Sequence, residues 1–230
     1  MINLYIIGDS TAANKSLDSR PETGWGEKLG IFLTEDIVVH NHAVNGRSTK
    51  SFLDEGRFND VLKQLKSDDY VMIQFGHNDQ KVEDPKRYTS VYESYPKNLS
   101  FMINEIKEKK AVPIIISSIS RRNHLANHRV NPLSVGLYPY MSYRVARSEK
   151  AWFIDGFTRS KKLYEYLGMD LSRKLFNQIK KEDNTHFNQF GAIAIASIIA
   201  EGLLRTPLSE YVLPMSLLRN VDVKRLAQKL

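Results

Sequence analysis

The chain contains no cysteine. Disulfides, a thiolate nucleophile and cysteine-based metal sites are therefore excluded. It also lacks a long apolar run: the most apolar later stretch, residues 192–200, is far too short to span a bilayer. No basic region, apolar segment and small-residue cleavage site open the chain, which passes from Met1 straight into a strand-like run. The expectation is a cytoplasmic protein with no membrane partner. No block of five like charges occurs, and no nucleic-acid recognition module accompanies the net charge of +7. A nucleic-acid partner is therefore not expected. The excess of positive charge instead suits a solvated basic surface or an acidic sugar polymer. The nucleophile elbow Gly-x-Ser-x-Gly, the P-loop and the spaced-glycine dinucleotide fingerprint are all missing. That removes the usual occupations of a parallel sheet.

What the chain has is alternation. Residues 2–7, 36–40, 70–75, 112–118 and 152–155 are apolar and β-rich, and read as five strands. Helical spacing appears over 25–32, 59–66, 95–109, 138–150, 160–167, 188–204 and 221–230. Residues 41–51, 80–92, 119–137 and 168–185 read as polar loops. Strands alternating with helices predict a parallel sheet covered on both faces. There are 230 residues, a length that suits one α/β domain, with the tail from 207 to 230 the least defined part.

In such sheets ligands bind beyond the carboxyl ends of the strands. The loops there are Gly8-Asp9-Ser10, Asn45-Gly46-Arg47, Gly76-His77-Asn78-Asp79 and Ser120-Arg121-Arg122. Ser10 is a candidate nucleophile, although Gly-Asp-Ser is also ordinary turn chemistry. A serine nucleophile needs a base and a group to orient that base. Asp183-Asn184-Thr185-His186 offers both, with His186 as base and Asp183 as orienter. The alternative is a helix N-terminus capped by Asp183 or Thr185. Oxyanion donors are available from the Ser10 and Gly46 backbone N–H groups and the Asn78 side chain. Arg47, Arg121 and Arg122 suit a uronate carboxylate, or are solvated loop charges. His77 is a further candidate substrate contact, or a residue that orients the Asn78 loop. Trp25 and the tyrosines of 138–143 either stack on sugar or pack. His40 with His42, and His124 with His128, have metal-compatible spacing but no supporting ligand cluster, so no metal site is expected.

The four blocks, in this order, resemble those of the SGNH (GDSL-type) hydrolase superfamily. Their residues here are Ser10, Gly46, Asn78 and His186, with Asp183 completing a triad. Gly8-Asp9-Ser10-Thr11-Ala12, Gly24-Trp25-Gly26, Asn41-His42-Ala43, Asn45-Gly46-Arg47-Ser48, Gln74-Phe75-Gly76-His77-Asn78-Asp79, Ser120-Arg121 and Asp183-x-Thr185-His186-Phe187 are similar to the rhamnogalacturonan acetylesterase branch. The resemblance implies a flavodoxin-like three-layer α/β/α sandwich with a five-stranded parallel sheet. It implies hydrolysis of O-acetyl esters on pectic oligosaccharides through an acyl-enzyme, with no cofactor. Other expectations are an esterase of the same fold acting on another acetylated sugar, a lipid or a thioester, and a non-catalytic carbohydrate-binding module.

Overall fold

Five β-rich runs become five strands: β1 (Ile2–Gly8), β2 (Ile37–Asn41), β3 (Tyr70–Gln74), β4 (Val112–Ile116) and β5 (Trp152–Ile154). The structure is a computed structural model and describes residues 1–178 and 182–230. Of the polar stretch 168–185, residues 179–181 therefore lie outside the described residues. All strand pairs are parallel, in the order β2-β1-β3-β4-β5. The direction of winding reverses at β1, so the crevice between the ends of β1 and β3 is where such a sheet receives ligands.

Side-chain alternation divides the sheet into two faces. Leu4, Ile6, Met72, Ile114, Ile116 and Ile154 join one core. Tyr5, Ile7, Val71, Ile73 and Ile115 join the other. The second face is covered by α1 (Thr49–Asp54), α2 (Arg57–Leu62), α3 (Ser94–Glu108) and α4 (Tyr138–Ser148). The first is covered by α5 (Gly156–Arg173) and α6 (Gln189–Leu203). The terminal helix α7 (Asn220–Lys229) lies outside α5, where Lys174 Nζ donates to the Ala227 carbonyl at 3.0 Å. The result is the three-layer sandwich that the alternation predicts.

Three local departures have physical causes. Residues 25–32 form two 3-10 turns rather than an α-helix. Gly24 and Gly26 there press against the backbone of Ala12 and Ala13. A Cβ on Gly24 would stand 2.2 Å from the Ala13 carbonyl oxygen. The polar stretch 41–51 contains the start of α1, because Ser48 caps it by accepting the Ser51 N–H. Helix α5 runs well beyond 160–167, but it is kinked at Gly168, whose φ of +73° suits glycine.

Candidate active site

Backbone register sets the site. Gly8 pairs with Gln74, so the chain leaves β1 and β3 side by side. Beyond β2, the Val44 N–H donates to the Gly8 carbonyl at 3.0 Å, which brings the Asn45-Gly46 turn against Ser10. Gly46 has φ +76°, a conformation that side chains resist.

Ser10 Oγ lies 3.0 Å from His186 Nε2. His186 Nδ1 lies 2.9 Å from Asp183 Oδ2. Burial alone would raise the Asp183 pKa. The His186 side chain and the His186 and Thr185 N–H groups outweigh that, and hold it at about 2. A carboxylate only accepts hydrogen bonds, so the proton between the two residues sits on Nδ1. Nε2 is then the acceptor for the Ser10 hydroxyl. The arrangement can take a proton from Ser10 and stabilise the imidazolium that results.

The helix after this motif begins later than a capping reading implies. Its N-cap is Asn188, whose side chain accepts the Gly191 N–H. Asp183 and His186 therefore belong to the loop and cap no helix. Arg122 clamps that loop from beneath. Its guanidinium donates to Asn184 Oδ1, the Met169 carbonyl and Glu182 Oε1 at 2.8, 3.0 and 2.6 Å. With all these bonds made and the residue buried, Arg122 is a loop anchor, not the uronate contact its type suggested.

Asn78 Nδ2 donates to the Arg47 carbonyl at 3.0 Å, and its Oδ1 accepts from Arg87 Nη1 at 3.3 Å. These two bonds fix which way the amide faces and leave one Nδ2 hydrogen uncommitted. Neither the Ser10 nor the Gly46 backbone N–H donates to any acceptor among the described residues. Unpaired backbone donors are uncommon, and here one belongs to the candidate nucleophile itself and the other to the neighbouring Asn45-Gly46 turn.

The other candidates fall into two groups. Arg121 reaches the site, with Nη1 donating to Thr185 Oγ1 at 2.7 Å. Arg47 turns along its own loop, bonding the Asn45 carbonyl and Glu55 at 2.9 and 3.0 Å. His77 is buried, with Nδ1 3.1 Å from Asp9 Oδ2. That bond ties the Asn78 loop to the serine loop. Trp25 is fully buried, and its indole N–H donates to Gln74 Oε1 at 3.0 Å, so it packs. His40 and His42 stack on Tyr5. Among the described residues no group of three or more His, Cys, Asp or Glu is placed to hold a metal. No helix there is long and apolar enough to cross a membrane.

Sequence reasoning missed two supporting residues, Asp9 and Arg87, and gave a third, Arg122, a different role. Asp9 is buried beneath Ser10 and receives Thr11, Gln74 and His77. Burial raises its pKa, but His77 and Thr11 together lower it to about 2. Its place inside Gly-Asp-Ser was the only available signal.

A serine, a histidine and a carboxylate gathered at the switch point of a three-layer α/β/α sheet are the parts of a serine-hydrolase site. Residues 6–192 match the GDSL-like Lipase/Acylhydrolase family, and the chain belongs to that family. It is 34% identical over 223 residues to the Bacillus subtilis protein named rhamnogalacturonan acetylesterase RhgT, covering 92% of this chain and 94% of that one. It is 33% identical over 214 residues to probable rhamnogalacturonan acetylesterase YesY of the same organism, covering 92% and 97%. The crystal structure of Bacillus subtilis YXIM superposes with a TM-score of 0.80 at 28% identity, covering 89% of this chain and 56% of that one. The first two of these relatives are named acetylesterases, which are carboxylic ester hydrolases.

Proposed function

We propose that the protein removes O-acetyl groups from acetylated pectic oligosaccharides by a serine acyl-enzyme mechanism. Ser10 Oγ attacks the acetyl carbonyl while His186 Nε2 takes its proton. Asp183 holds the imidazole in the required tautomer and stabilises its charged form. The tetrahedral oxyanion is received by the Ser10 and Gly46 N–H groups and the free Asn78 Nδ2–H. His186 then protonates the departing sugar oxygen. A water molecule, activated by the same histidine, attacks the acetyl-Ser10 ester and releases acetate.

The observation that carries this reading is the Ser10–His186–Asp183 line, with its 3.0 and 2.9 Å contacts, beside two uncommitted backbone donors. A pure binding module has no use for that line. The pectic substrate follows from the relatives' names and from the charge around the site. Arg121 stands at Thr185 and Arg87 at Asn78. The Lys81 ammonium has no hydrogen-bond or ion-pair partner among the described residues, and burial, with Arg87 and Arg121 nearby, lowers its pKa. Such a cluster suits a uronate carboxylate on the substrate. We also read residues 1–230 as one catalytic domain.

The test is acetate release from acetylated rhamnogalacturonan fragments, acetylated xylan fragments and long-chain acyl esters, with Ser10→Ala as control. Preference for the first supports the proposal. Preference for the acyl chains identifies a lipid esterase, and no release from any identifies a binding module.

A further inference from the structure

Lys15 is a charged residue whose side chain is wholly buried. Its ammonium meets three oxygens: the Ser10 carbonyl at 2.6 Å, Asn45 Oδ1 at 2.5 Å and Glu22 Oε1 at 2.8 Å. An ammonium has three protons, and here each has an acceptor. Burying a charge is costly unless it is paired and bonded, and Glu22 supplies the opposite charge. The other two acceptors belong to two different loops. One is on the residue bearing the candidate nucleophile. The other immediately precedes Gly46.

The same two loops carry the two uncommitted backbone donors. The peptide unit that contains the Gly46 N–H also contains the Asn45 carbonyl, which Arg47 Nη1 holds at 2.9 Å. Arg47 thus fixes that peptide plane, and Lys15 fixes the side chain of the same Asn45 against Ser10. Lys15 itself is held in place, since its backbone N–H donates to Glu27 Oε1 at 3.1 Å. Without the ammonium, nothing among the described hydrogen bonds joins the Asn45 side chain to the Ser10 carbonyl.

We propose that Lys15 is a positioning residue for the oxyanion site, holding the Ser10 and Asn45-Gly46 loops at the spacing that lets their two N–H groups converge on one oxygen. This rests on the serine-esterase reading above. Oxyanion donors act only within a narrow range of distances, and a displacement of roughly 1 Å costs about a hundredfold in rate.

The test compares wild type with Lys15→Met and Asn45→Ala, using a small aryl acetate as substrate and a boronic acid that forms a tetrahedral adduct on serine. For Lys15→Met, kcat falls about a hundredfold while KM changes less than about threefold, and the boronic acid binds weaker by a factor similar to the loss of kcat. A merely structural role would lower the melting temperature without that parallel loss. A folded Lys15→Met with wild-type kcat overturns the proposal. So does a fall in kcat with boronic acid affinity unchanged. Should Lys15→Met not fold, Asn45→Ala decides, because Asn45 is exposed and the change deletes one acceptor of the ammonium. A fall in kcat of about tenfold at constant KM supports the role, and unchanged kcat overturns it. A wild-type chain that neither cleaves the ester nor binds the boronic acid overturns the esterase reading and the Lys15 role together.

Discussion

Asp183 grips His186 at two points. One carboxylate oxygen accepts the His186 backbone N–H at 2.9 Å, and the other lies 2.9 Å from Nδ1 of the ring. The carboxylate therefore sets both the position of the residue and the tautomer of its imidazole. Asp183→Asn keeps the shape but supplies an amide that can present a donor to Nδ1. The expected result is a fall in kcat of about a thousandfold or more, with the fold retained. Steady-state kinetics and circular dichroism check it together. A kcat within tenfold of wild type contradicts the assigned orientation.

Arg87 acts at one remove. It holds Asn78 Oδ1 at 3.3 Å, and is itself held by Asp84 at 2.6 Å. Removing the Asn78 amide by Asn78→Ala deletes a proposed oxyanion donor, and is expected to lower kcat by about a hundredfold or more. Arg87→Met leaves the amide in place but removes one of the two bonds that orient it, so the loss is expected to be about tenfold. Measured in both single variants and the double variant, the effects should not add, because both act through one amide. Additive losses contradict the link.

The strands were legible because burial on both faces writes itself as unbroken apolar runs, as in Ile114-Ile115-Ile116. The loops that bear Ser10, Gly46 and Asn78 were legible because each follows such a run within a few residues. Helix α1 was not: its sequence is short and polar, and its stability comes from the Ser48 cap and from Phe52 buried against Phe75. The turns at 25–32 have helical spacing, but their conformation is set by close approach to Ala12 and Ala13, residues outside any local window. The roles of Lys15, Arg87 and Arg122 were equally hidden. A cation reads as surface charge until the structure shows which oxygens surround it.

Asp79 gives the fold a distinctive pH response. Its Oδ1 accepts from the Thr49 N–H, the Thr49 hydroxyl and the Thr89 hydroxyl, while its buried Oδ2 has no partner among the described residues. Burial, with a smaller contribution from Asp9, raises its pKa from 3.8 to about 7 against those donors. The folded protein thus keeps a proton that the unfolded chain releases near 3.8. The stability this contributes is fully present below that pH, declines as pH rises, and is lost above about 7. Asp79→Asn has no such proton to lose. Relative to wild type, the variant should therefore gain about 1.4 kcal/mol per pH unit across that window. Urea unfolding of both proteins at about pH 4.5 and about pH 8 checks it, and a difference that does not change with pH contradicts it.

Covalent labelling of the serine most directly tests the account, because every role assigned to the surrounding loops assumes that Ser10 is the nucleophile. Treatment with a fluorophosphonate followed by peptide mass spectrometry should place a single adduct on Ser10. Ser10→Ala should take up no label and release no acetate, with its melting temperature close to that of wild type. A label on a different residue, or acetate release by Ser10→Ala at the wild-type rate, would contradict the account.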